Sequence, residues 1–171
     1  YIAIVEGLGG FTPRNPDKIM HSRYGDCKDM STLIVTMLEM LGIDAHPAWV
    51  GSRELPYKYN DVPSPCVDNH MIAVHKNKSN NQYIFLDATD SYISFGMPTE
   101  FIQGKEVLIS NEENFSIETV PIVDAEVNLF NDTVNLTIEN NLLKGSGKVI
   151  LKGYFDCDSK RTIDAASNEE A

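Results

Sequence analysis

Three side chains in this sequence have the types that catalysis by a thiol nucleophile requires: Cys27, His70 and Asp87. That chemistry takes a thiolate, a base to hold its proton and a carboxylate to orient the base. Cys27 lies in the run Arg23-Tyr24-Gly25-Asp26-Cys27-Lys28-Asp29, just ahead of an apolar helical pattern. Unpaired N–H groups and the macrodipole at a helix start favour negative charge and lower a thiol pKa. Asp87 would accept a hydrogen bond from one His70 nitrogen, leaving the other to face the sulfur. Each residue also has a plainer reading. A lone Cys is commonly a small buried hydrophobe. His70 fits a satisfied strand histidine, and Asp87, ahead of Ala88-Thr89-Asp90, fits a turn cap. His46 and His75 compete as the base: His75 sits at a turn, and His46 precedes Pro47 in an extended segment.

The elements that must position these groups can be read from the pattern around them. Apolar residues at Met30, Leu33, Ile34, Met37, Leu38 and Leu41 mark one face of a helix, and they read as its core stripe. Gly42 stands where helices end, Asp26 or a neighbour can cap the start, and Gly25 allows a tight approach. Two strand patterns, 69–75 and 82–87, flank a polar turn at 76–81. A simple hairpin closed by His75 opposite Gln82 sets Val74 against Tyr83, Ile72 against Phe85 and His70 against Asp87. Directly opposed Cβ atoms lie ~4.5–5.5 Å apart.

The whole chain sets the bounds. It has 171 residues and a formal net charge of −11, from 14 Lys and Arg against 25 Asp and Glu. So acidic a chain is ill-suited to phosphate backbones or an anionic membrane surface, and no nucleic-acid partner is expected. No apolar run reaches the ~18–20 residues of a spanning helix. Three cysteines, Cys27, Cys66 and Cys157, are too few and too scattered for a disulfide framework. Cys66 and His70 lack the second ligand pair of a structural zinc site, so neither metal nor other cofactor is expected. Sequons at Asn77, Asn114, Asn131 and Asn135 read as chance in so Asn-rich a chain. Tyr1-Ile2-Ala3-Ile4-Val5 reads as a buried strand already under way, and the chain as a fragment of a longer protein. Beyond Pro121 only strand signals are read: 125–129, 134–138 and, after a turn at Gly145-Ser146-Gly147, 148–154.

The Cys27 motif, its helix and Gly42-Ile43-Asp44-Ala45 together resemble the transglutaminase-like core, in the form found in multidomain bacterial proteins. Asn69-His70-Met71-Ile72-Ala73-Val74 is similar to that family's histidine strand. Phe85-Leu86-Asp87-Ala88-Thr89-Asp90 is similar to its aspartate strand. Phe95-Gly96-Met97-Pro98 and Gln103-Gly104-Lys105-Glu106-Val107 resemble the segment that follows. The resemblance covers residues 1 to about 110. It implies an α+β, papain-like fold in which the Cys-bearing helix packs on an antiparallel sheet. The core would span 1–118, truncated at its N-terminus, with an incomplete all-β accessory segment at 119–171. It further implies Cys27 as nucleophile, His70 as base and Asp87 as its partner, acting on peptide or protein amides through a thioester. Hydrolysis is the simpler expectation, and transfer to an amine the other. The alternative is an inactive module that binds peptide or glycan. Flanking β-rich domains of the same polypeptide are the implied partners, and a bacterial periplasm or cell surface is the implied location.

Overall fold

Asp26 fixes where the cysteine helix begins. Its carboxylate accepts from the backbone N–H groups of Lys28 (3.0 Å) and Asp29 (3.2 Å), and the Asp29 carboxylate accepts from Asp26 N–H (3.4 Å). This reciprocal capping box satisfies donors that the first helical turn leaves orphaned. Gly25 is required because a Cβ there would lie 2.7 Å from Asp29 Cβ. The helix ends at Leu41, where Gly42 takes φ 73° and Ile43 N–H bonds back to Leu38 C=O at 2.9 Å.

The computed structural model describes residues 2–3, 8–111 and 113–169. The chain divides into two units, residues 1–91 with 95–122, and residues 92–94 with 123–171. The expected division at 118/119 falls short. Val120 is fully buried in the first unit's core, and its N–H bonds Lys105 C=O at 2.9 Å.

In the first unit, α1 (Pro16–Ser22) precedes α2 (Cys27–Met40). Strands β1 (Ala45–Val50), β2 (His70–Lys76), β3 (Tyr83–Leu86), β4 (Glu106–Asn111) and β5 (Asn114–Thr119) follow. They form one antiparallel sheet in the order β3-β2-β1-β4-β5. The architecture is thus mixed α+β, with a helix on an antiparallel sheet. One face of the sheet buries Ala48, Val50, Ile72, Val74, Phe85, Val107 and Ile109 together with Ile102 and Val120. The other face takes α2, where Val35 packs with Ala45 and Ala73. Of the expected opening strand, Ile2 and Ala3 are exposed and outside any regular element; Tyr1, Ile4 and Val5 lie outside the described residues.

Two expectations for this unit are corrected. The helix presents only part of its Met and Leu stripe to the core, with Ile34 and Leu38 packed on it. Met37 and Leu41 are exposed, while Ser31 and Val35 are buried on the turns that follow Cys27. Ser31 disguises the buried face: its hydroxyl donates to Ile72 C=O at 2.7 Å and ties α2 to β2. The β2–β3 register is also two residues away from the simple hairpin, with Val74 opposite Phe85 and His75 opposite Ile84. Asn77 N–H bonds Gln82 C=O at 2.8 Å and Asn81 takes φ 61°, so the turn is shorter than assumed.

In the second unit, β6 (Leu129–Glu139) pairs with β7 (Leu142–Lys152). The turn is Asn140-Asn141, at φ 51° and 62°, the left-handed pair that a two-residue hairpin uses. Gly145-Ser146-Gly147 lies inside β7, not at a turn, and 125–127 forms a short 3-10 helix in place of a strand. The segment is not all-β. Helix α3 spans Tyr154–Glu169, its first turn braced by Asn128 Oδ1 accepting from Tyr154 N–H (2.9 Å). Among the described residues no helix is long and apolar enough to cross a membrane.

Replacing Gly25 with Ala forces the new Cβ against Asp29 and is expected to cost about 1–3 kcal/mol. The readout is the urea midpoint of unfolding, which should fall at unchanged slope.

Candidate functional site

The site assembles where the start of α2 meets the first residue of β2. Cys27 is the first residue of α2 and His70 the first of β2. The buried turn contact from Ser31 to Ile72 holds the two elements together. Asn69 sets the approach to His70: its Oδ1 accepts from Ser52 N–H at 2.8 Å, and its Nδ2 donates to Ser52 Oγ at 3.1 Å.

His70 and Asp87 meet although they are not directly opposed. In the observed register Asp87 follows the last residue of β3, diagonal to His70 across the ladder. The assumed register errs by an even number of residues, which preserves the faces of both strands. His70 Nε2 lies 2.8 Å from Asp87 Oδ2, with both residues buried. Asp87 divides its two oxygens. Oδ1 accepts from Thr89 N–H (3.0 Å) and Thr89 Oγ1 (2.6 Å), the turn-capping role; Oδ2 takes His70 and the Thr99 hydroxyl (3.0 Å). The orienting and capping roles therefore coexist. Phe101 packs the edge of its ring on the imidazole, with centroids 5.0 Å apart at 65°.

With Nε2 turned to Asp87, Nδ1 is the ring nitrogen left to serve Cys27. Burial alone would push the Cys27 thiol up. The hydrogen bond and charge of His70, with a backbone bond from Met71, outweigh burial and hold it below its ordinary value. For His70, burial opposes the charge, but Asp87 and Cys27 outweigh it and raise the imidazole from 6.5 to about 9. Asp87 stays below the ordinary carboxylate value: its burial is overcome by the His70 bond and charge and by Thr89. The arrangement favours thiolate, imidazolium and carboxylate in one line.

Cys27 lines a cleft of about 240 Å³ together with Phe11, Lys28, Trp49, Asp68, Asn69 and Met71 among others. Trp49 forms a wall of the cleft, and Tyr24, stacked on Arg14 at 4.5 Å, is not among its lining residues. Lys28 pairs with Asp26.

The rival groups lie elsewhere. His75 is five residues along β2 from His70, ~17 Å at strand rise. Its Nδ1 is 2.6 Å from Asp44 C=O, and His46 Nε2 is 3.1 Å from Asp44 Oδ1. Cys66 is exposed in a 3-10 turn, and Cys157 is buried with Sγ 3.2 Å from Tyr92 C=O. Among the described residues no group of three His, Cys, Asp or Glu side chains is placed to hold a metal ion. Thr99 and Phe101 are missing from the sequence-derived set. They reach His70 and Asp87 by a loop that folds back, and no spacing rule reports that. Thr89, two residues after an Asp, carries a visible turn signature.

No model of a known protein family matches the chain, and neither a curated protein nor a solved structure matches it.

Asp87→Asn removes the charge that holds the imidazolium, so the His70 pKa should drop well below about 9 in a histidine NMR titration. Stability should follow. His70 is raised on folding, so its contribution is complete below 6.5 and disappears as pH rises through about 9. Asp87 is depressed on folding, so its contribution is present above 3.8 and lost as pH falls through its lower native value. Urea midpoints measured across pH should show both declines in the wild type; Asp87→Asn should lose the acid-side contribution of Asp87 and show a smaller alkaline decline, at lower pH.

Proposed function

We propose that this chain is a cysteine-nucleophile acyltransfer enzyme acting on amide bonds, with water as the simplest acceptor. One observation carries the reading: a thiol at a helix start shares a cleft with a buried imidazole that is itself bonded to a carboxylate at 2.8 Å, and that imidazole holds the thiol below its ordinary value. Perturbed pKa values of this kind, gathered in a cleft, are what nucleophilic catalysis needs. The order of the three residues along helix and strands also resembles the transglutaminase-like pattern, which adds support from the sequence.

Cys27 Sγ attacks the amide carbonyl carbon, and the C–S bond forms as the carbonyl oxygen becomes an oxyanion. Cys27 N–H occupies the first helical position, where no intrahelical acceptor exists, and is the donor at hand for that charge. His70 gives its proton to the leaving nitrogen as the C–N bond breaks, leaving a thioester. Water then attacks the thioester, with His70 taking its proton. The C–S bond breaks, the carboxylic acid leaves, and thiolate and imidazolium are restored. Asp87 keeps its charge throughout and holds the ring in position.

Alkylation of the folded protein, with each cysteine mapped by mass spectrometry, tests the reading. A free thiol titrates near ~8.5, and a His-paired one at roughly 3.5–7.5. Cys27 should label quickly at pH ~6 while Cys66 does not, and His70→Ala should abolish the difference. Amide turnover should decline as pH rises through about 9, where the imidazolium is lost. Equal labelling of Cys27 and exposed Cys66 at pH ~6 would leave an inactive binding module.

A further inference from the structure

The cleft beside Cys27 continues into a second, larger groove of about 740 Å³. Phe11, Trp49 and Asp68 line both, so the two share a wall. Beyond that wall the lining turns apolar, with Leu108, Phe115 and Ile117 supplied by β4 and β5.

The sheet register explains why these residues lie in one line. Met71 is opposite Trp49, Trp49 opposite Leu108, and Leu108 opposite Ile117. Directly opposed residues point to the same face. Four side chains therefore form a row across β2, β1, β4 and β5, beginning next to His70 and ending on the edge strand. This is the sheet face that receives α2, whose Val35 packs on Ala45 and Ala73, four and two residues from Trp49 and Met71. Past those positions the row lines the groove, and Phe115, two residues from Ile117 on the same face, is largely exposed.

One polar feature stands at the junction. Asp68, half-buried, accepts the Tyr59 hydroxyl at 2.8 Å, and that hydroxyl also lies 3.3 Å from Trp49 C=O. The bond fixes the loop wall over the groove. An apolar groove with a few placed polar groups is the usual make-up of a ligand site.

We propose that this groove receives a bulky apolar side chain of a peptide substrate whose neighbouring amide is the one attacked at Cys27. The proposal rests on the acyl-transfer reading of Cys27. It makes the substrate a peptide or protein segment with an aromatic or branched aliphatic residue near the scissile bond, and excludes a small amide. Strands lie ~4.8 Å apart, so Leu108 and Ile117 stand ~10 and ~14 Å from the Met71 position. An extended peptide rises ~3.3 Å per residue, which sets the apolar residue roughly three to four positions from the attacked amide. Continuity with the Cys27 cleft selects this occupant, because a peptide chain in one chamber must place its neighbouring side chains in the other.

Trp49 is the only tryptophan in the chain, so its fluorescence reports the groove directly. The test uses the full chain carrying Cys27→Ala, which cannot react. A single Phe or Leu is walked along a blocked alanine hexapeptide, and each peptide is titrated against Trp49 emission. Peptides with the apolar residue at one or two positions should bind about tenfold tighter or more than the all-alanine parent. Leu108→Ala, and separately Phe115→Ala on the exposed edge strand, should remove most of that preference. Equal binding at every position overturns the proposal. So does a preference that survives both substitutions, or self-association that blocks peptide binding. Failure of the catalytic reading appears separately, as slow alkylation of Cys27 in the wild type, and leaves this titration readable.

Discussion

The hydrogen bond between His70 and Asp87 is the constraint on which the rest of the site depends. Both groups are buried, with relative exposures of 9% and 8%. Charge there costs several kcal/mol per ion before any compensation. What offsets that cost is the number of donors on the carboxylate. Thr89 contributes two bonds, Thr99 one and His70 one, and hydrogen bonds to charged groups are each worth roughly 1.5–3 kcal/mol. The fixed carboxylate lets His70 remain protonated, and the protonated imidazole lets Cys27 ionise in spite of burial. Removing the carboxylate charge therefore acts on the sulfur through the imidazole between them.

The scaffold places polar residues on faces that are otherwise apolar. Ser31 occupies a buried position of α2 because Ile72 C=O needs its hydroxyl, and that bond carries Cys27 to the end of β2. Asp29 is buried because it serves three partners: the Asp26 N–H, the Arg14 backbone N–H at 2.8 Å and the Arg14 guanidinium at 2.7 Å. Each of these groups reads as surface in a hydrophobic count. Each is also what makes the helix start in one place and at one angle.

This explains which parts of the structure were legible in the sequence. Asp26 as cap, Gly42 as helix stop, the strand types at 70–76 and 83–86 and the meeting of His70 with Asp87 follow from local pattern. The helix face follows only in part: Ile34 and Leu38 pack as their spacing predicts, while Ser31 takes a polar contact from a strand that lies distant in sequence. The exact hairpin pairing does not, because Asn81 adopts a left-handed conformation within a run of polar residues that all suit a turn. The pairing error spared the site only because it was even. In the second unit the glycines drew the turn to Gly145-Ser146-Gly147, while the chain reverses at Asn140-Asn141, where two asparagines accept positive φ. Helix α3 carries few apolar residues over Tyr154–Glu169, so no hydrophobic period announces it. Thr99 and Phe101 illustrate the general limit, since contacts made by a loop folding back leave no periodic trace.

The proposed thioester on Cys27, formed with His70 as its proton partner, can be trapped. The direct measurement is to mix the protein with an activated phenyl ester, quench rapidly in acid and locate the acyl group by mass spectrometry. One acyl group is expected, released by hydroxylamine and mapped to the Cys27 peptide. It should be absent in Cys27→Ser and much slower to form in His70→Ala. An acyl group on Cys66, or none on Cys27 while the protein is folded, would contradict the proposed mechanism.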